Sequence, residues 1–151
     1  MRMISVRLSK KKGLLFLAIL LLVVGLIFVM AFLDGAWKDP GGKNEQRVSF
    51  LRSCGWEGEP EPVETREIQI PETFSQVYKN YAQLNEKAGF HLEAVAGKKC
   101  MQYVYKVKNY DGRNDVYANL LVCEGRICGG DLSTAALNGF MVPLRKLAEK
   151  N

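Results

Sequence analysis

Histidine is almost missing from this chain: its 151 residues hold one, His91. A multi-histidine metal centre is therefore excluded, and any Ser-His or Cys-His pair would have to use that single ring. The four cysteines, Cys54, Cys100, Cys123 and Cys128, contain no CxxC pair, which leaves a zinc site without its usual spacing. The dinucleotide fingerprint GxGxxG and the phosphate loop GxxxxGK followed by Ser or Thr are both absent. Gly125, Gly129 and Gly130 in "GRICGGDL" come nearest and fit neither spacing. A hairpin turn at Gly125 and a bulge or close backbone approach at Gly129 and Gly130 explain them instead. No catalytic, cofactor-binding or metal-ligating residues can be assigned from these patterns.

Charge is also missing where it matters. From Gly13 to Leu33, "GLLFLAILLLVVGLIFVMAFL" carries no charged side chain, and the twelve residues before it carry no acid. Those twelve hold Arg2, Arg7, Lys10, Lys11 and Lys12. Taking these five from the 21 basic residues leaves 16 against 16 acids, so the rest of the chain is neutral. The net charge of +5 is thus concentrated in one flank, and a nucleic-acid partner is not expected. An apolar run of this length matches a bilayer span, and the basic flank orients it with the N-terminus cytoplasmic. The exit "MAFLDGAW" sets Asp34 two positions before Ala36, a poor cleavage site, and no cysteine lies near it to accept a lipid. An uncleaved signal anchor is expected, with the lipid bilayer as partner through residues 13–33.

The remainder divides into a linker and one domain. "DGAWKDPGGK" has linker composition, and Trp37 is suited to the membrane interface. The expected layout is a cytoplasmic tail 1–12, an anchor 13–33, a linker 34–43, an extracytoplasmic domain 44–142 and a polar tail 143–151. Asn44 is expected to cap a short helix with Val48, Leu51 and Cys54 on one face and Gly55 as its stop. The run of Glu57, Glu59, Glu61 and Glu64 lacks cation-loop chemistry and reads as a solvated face. A strand is expected around Ile68 and Ile70, ending at Pro71. Phe74, Val77, Tyr78, Tyr81, Leu84 and Ala88 recur at helical spacing and predict a core-facing stripe.

Three strand-like runs follow, joined by "DGRND" and by a tight turn at Glu124–Gly125. "STAALNGFM" fits either a helical turn or another strand. The fold expected is α+β: about two helices packed on one side of a mostly antiparallel sheet of about four strands. With a two-residue turn, Cys123 and Cys128 share a sheet face diagonally, and a four-residue turn would set them opposite each other. A disulfide between them therefore stays open. His91 is expected to cap or border the short turn after Phe90.

The segments "RVSFLRSCGWE", "IPETFSQVYKNY", Gly89–Phe90, "YVYKVKNY", "ANLLV", "GGD" and "LNGFM" occur together between Asn44 and Met141. In this the chain resembles a family of small membrane-anchored bacterial proteins, mostly from Gram-positive anaerobes, known as domain of unknown function 4830. The resemblance implies an anchor followed by an outside domain and brings no established activity. The cysteines and His91 are not features of that pattern. The function expected is a non-enzymatic binding module for a protein or cell-envelope component. The alternative is an envelope enzyme using Asp131 or Cys100 beside the glycines, for which a second titratable group should lie within reach of Asp131 in an apolar pocket.

Overall fold

The computed structural model describes residues 10–33 and 39–145. The chain forms two compact units, Met1–Lys38 and Asp39–Asn151. In the first, Lys10–Leu33 is a single helix, α1. Its described side chains are apolar and exposed, from Leu15 to Leu26. They run unbroken only over residues 17–26, and among the described residues no helix is long and apolar enough to cross a membrane. The rest of the basic tail and Trp37 lie outside the described residues.

The second unit begins with helix α2 (Asn44–Ser53), strand β1 (Glu64–Gln69), helix α3 (Gln76–Glu86) and a 3₁₀ turn (Leu92–Val95). Strands β2 (Lys99–Lys106), β3 (Val116–Cys123), β4 (Arg126–Thr134) and β5 (Met141–Pro143) follow. All neighbours are antiparallel and the strand order is that of the chain, a five-stranded meander. The α+β expectation holds with one strand more than expected, because the chain turns after Thr134 and adds β5 at the edge. At the other edge, β1 is exposed along nearly its whole length and presents Glu64, Arg66 and Glu67, charges that discourage pairing with another sheet. β3 is central and buried at almost every position, which is why its sequence hardly alternates. The turn between β3 and β4 has positive φ at both Glu124 (52°) and Gly125 (76°), as a two-residue hairpin of the right twist requires.

Contrary to the one-sided arrangement expected, the helices lie on opposite faces of this sheet. Side chains alternate between faces along a strand. Tyr103, Tyr105, Ala118, Leu120, Val122, Ile127 and Leu132 point to one face, where Phe50 and Leu51 of α2 meet them. Asn119, Leu121, Cys123, Gly129 and Asp131 point to the other. There α3 and the 3₁₀ turn lie against β4, since a methyl group on Gly129 would strike Leu92 at 2.8 Å and Asn85 at 2.9 Å.

Local expectations shift accordingly. Lys43, not Asn44, is the N-cap of α2, with its backbone N–H donating to Gln46 Oε1 at 3.0 Å. The Asn44 side chain instead bridges to the Pro60 carbonyl (2.7 Å) and accepts from the Tyr105 hydroxyl (2.7 Å). The buried face of α2 is Arg47, Phe50 and Leu51. The stripe expected on α3 is rotated in part: Val77 is 79% exposed, whereas Ala82 and Asn85 are buried, and Ala88 is buried as expected. Residues 39–43, expected in the linker, belong to the domain. Ile127 donates to the Asp39 carbonyl, Gly41 donates to the Gly125 carbonyl, and Arg47 Nη1 donates to the Gly41 carbonyl at 2.7 Å. The tail expected from residue 143 begins inside the domain too. Pro143 ends β5, Leu144 is buried, and Arg145 Nε donates to the Ala88 carbonyl at 2.7 Å. Residues 146–151 lie outside the described residues.

Candidate functional site on the α3 face of the sheet

The α3 face gathers most of the residues singled out from the sequence. Asp131 projects from β4 and is 2% exposed. One carboxylate oxygen accepts from Asn119 Nδ2 on β3 at 2.8 Å, and the other accepts from the Tyr81 hydroxyl on α3 at 2.9 Å. Asn119 Nδ2 also donates to the Ser133 hydroxyl (2.9 Å), and Asn119 Oδ1 accepts from Gln102 Nε2 (3.4 Å). Register makes this possible, because Asn119 stands directly opposite Asp131. Burial raises the Asp131 carboxyl above its ordinary 3.8, against the lowering pull of hydrogen bonds from Asn119, Tyr81 and Ser133. Burial first, and then the facing Asp131, push the Tyr81 phenol well above 10.0.

One turn along α3, Asn85 is fully buried. Its carbonyl oxygen accepts from the Gly130 backbone N–H at 2.8 Å, and its amide donates to the Tyr81 carbonyl at 3.0 Å. Gly129 permits this approach, since a methyl group there would meet Asn85 Oδ1 at 2.9 Å; on the opposite face, a methyl group on Gly130 would meet the Asn119 backbone oxygen at 2.5 Å and Leu144 at 3.1 Å. The close approach expected at Gly129 and Gly130 is therefore present, one glycine facing each side of the sheet.

Sulfur chemistry lies beside this network. Cys100 and Cys123 form a disulfide between β2 and β3, with Cα atoms 4.4 Å apart. Cys100 thereby has no free thiol to pair with His91, which is exposed. Cys123 faces Arg126 as a two-residue turn demands. Cys128, however, is the extra residue of a bulge between the Val122–Ile127 and Leu121–Gly129 pairs. Its sulfur lies 2.7 Å from that of Cys123, and its thiol donates to the Leu121 carbonyl at 3.4 Å. Burial pushes this thiol up to about 12. Among the described residues, Cys100, Cys123 and Cys128 are the one group of potential metal ligands gathered within 4.8 Å. Cys54 is free and lies apart, against the α2 core. The glutamate run is solvated as expected, with Glu59 paired to Lys108 (3.0 Å) and Glu64 to Arg66 (3.5 Å).

Sequence reasoning missed Asn85, Asn119 and the polar role of Tyr81. Asn119 breaks an otherwise apolar strand, and that break is the available signal. The Cys100–Cys123 pair also had one: β2 and β3 have equal length, and a hairpin of equal strands pairs the start of the first with the end of the second.

Across residues 50–132, more than half the chain, the sequence matches the model of the family described as Domain of unknown function (DUF4830). The chain belongs to that family. Its match takes in α2 from Phe50, β1, α3, the 3₁₀ turn, β2, β3 and β4 up to Leu132, and so the whole Tyr81–Asp131–Asn119 network. No curated protein and no solved structure matches the chain.

Proposed function

We propose that this protein is a membrane-tethered, extracytoplasmic interaction module without catalytic activity of its own. The observation that carries the reading is the Cys100–Cys123 disulfide, a bond that persists in oxidising compartments outside the cytoplasm. It agrees with the charge-free run 13–33 and the five basic residues before it, which favour an N-in anchor.

The two groups considered for catalysis support the non-enzymatic reading. Cys100 is held in a disulfide, and both Asp131 oxygens are occupied by side chains under α3. A recess of about 590 Å³ between the C-terminal end of α2, the segment 55–60 that follows it and Lys108–Asn109 is the surface we assign to the partner. Arg52, Trp56, Glu57, Lys108 and Asn109 line it, a mix of aromatic and charged groups suited to a protein or a polar envelope polymer. An enzymatic alternative keeps one favourable observation, the Tyr81–Asp131 pair, and would need α3 to lift away from β4.

Two measurements test the reading. A reporter active only outside the cytoplasm, fused after Asn151, should be active, and a silent one beside a working cytoplasmic reporter overturns the topology. Crosslinking in intact cells from position 52 or 108 should return one recurrent envelope partner, and repeated failure from both overturns the binding role.

A further inference from the structure

Cys123 has two sulfur neighbours, and only one of them is bonded to it. Antiparallel pairing places Cys100 beside it across β2 and β3, one step beyond the Met101–Val122 pair. The bulge in β4 brings Cys128 to it from the other side. With regular pairing Cys128 would have stood opposite Leu121 and reached Cys123 only diagonally; the extra residue brings the two sulfurs to 2.7 Å, inside ordinary sulfur–sulfur contact. All three cysteines are buried, and Lys98 and Tyr78 are the ionisable groups acting on or near Cys128. We propose that Cys123 is a shared sulfur and that the Cys100–Cys123 disulfide exchanges internally with the Cys128 thiol.

The step balances without any outside reagent. Cys128, as its thiolate, attacks Cys123 Sγ; the Cys100–Cys123 bond breaks, and its electron pair leaves on Cys100 Sγ. Cys100 then takes up the proton that Cys128 gave up. One disulfide and one thiol exist before and after, so nothing is oxidised or reduced overall. What changes is the staple. The present bond ties β2 to β3 across 23 residues, whereas the exchanged bond would lie within the β3–β4 hairpin across 5. The exchanged form constrains the unfolded chain less and frees β2, whose other neighbour is the exposed edge strand β1. Three-thiolate metal binding by the same residues is a different event, since it first requires an external reductant to open the disulfide.

Trypsin separates the three cysteines into peptides 100–106, 114–126 and 127–145, so each linkage has its own mass. The purified full chain is equilibrated with a trace of glutathione, quenched with acid and a thiol-blocking reagent, and then digested. The expected result is two linked species, 100–106 with 114–126 and 114–126 with 127–145. In Cys100→Ser the second becomes the dominant species and Cys54 the main alkylated thiol, while in Cys128→Ser only the first is found. A wild-type map holding the first species alone overturns the proposal, and so does oxidised, folded Cys100→Ser with both Cys123 and Cys128 open to alkylation. Should Cys100→Ser fail to fold, the wild-type map decides. The map is made on purified protein, so its outcome is independent of where the domain resides.

Discussion

The two faces of the sheet solve the same problem with opposite charges. On the α2 face, Arg47 is 5% exposed and is held by neutral groups: the Tyr105 hydroxyl at 2.8 Å, the Gly41 and Gly42 carbonyls, and the Tyr103 ring 3.6 Å from its guanidinium carbon. On the α3 face, Asp131 is 2% exposed and is held by the neutral Tyr81 hydroxyl and Asn119 amide. In each case the polar contact joins the covering helix to the sheet. A buried charge without an ion pair is costly unless its hydrogen bonds are made, so each helix has few alternative seats. The faces differ in their surroundings. Arg47 shares its face with an apolar core of Phe50, Leu51 and Leu120, whereas the face of Asp131 carries Asn85, Asn119 and, farther along the strands, three cysteines.

The sharpest break of this comparison uses the adjacent glycines that look to opposite sides. Gly130→Ala would drive a methyl group against the Asn119 backbone oxygen, which cannot move without disturbing β3. We expect a loss of about 2–3 kcal/mol in urea unfolding. Gly129→Ala meets the side chains of Leu92 and Asn85, which can give, and should lose about 1 kcal/mol. Equal losses would show that the two sides are equally rigid.

Next comes Arg47→Met, which keeps the stem and removes the charge-assisted bonds. It should cost about 2 kcal/mol and loosen residues 39–42, seen as faster amide exchange at Gly41. The smallest effect should come from Asp131→Asn, which is nearly isosteric and changes how stability varies with pH. The native Asp131 binds its proton more tightly than the unfolded residue does. Wild-type stability should therefore fall, relative to Asp131→Asn, as pH rises from near 3.8 through the raised native pKa, and level off above it. Parallel pH curves for the two proteins would remove Asp131 as the titrating group.

Much of the fold was legible because it is local. The Glu124–Gly125 turn, the α+β class, the central character of β3 and the crowding at Gly129–Gly130 all follow from neighbouring residues. The faces were not legible, because which side of a sheet a helix covers depends on contacts far apart in sequence. Val77 illustrates this: helical spacing places it on the stripe, yet Asn85 occupies the buried position because it has Gly130 to bond. The site was hidden for a similar reason. Tyr81 reads as an apolar stripe member until Asp131, 50 residues later, is brought to its hydroxyl. Cys128 reads as diagonal to Cys123 until a bulge slides it alongside.

The strap formed by residues 39–41 has a mechanical meaning. A pull on the chain from its N-terminal side is taken up first by the Asp39–Ile127 and Gly41–Gly125 backbone bonds and by Arg47's grip on the Gly41 carbonyl. The load then enters the β3–β4 hairpin, at the middle of the meander, and passes to β2 through the covalent link at Cys123. Such a domain is tugged through its centre, with its strands sharing the strain, instead of being unzipped from the exposed edge at β1.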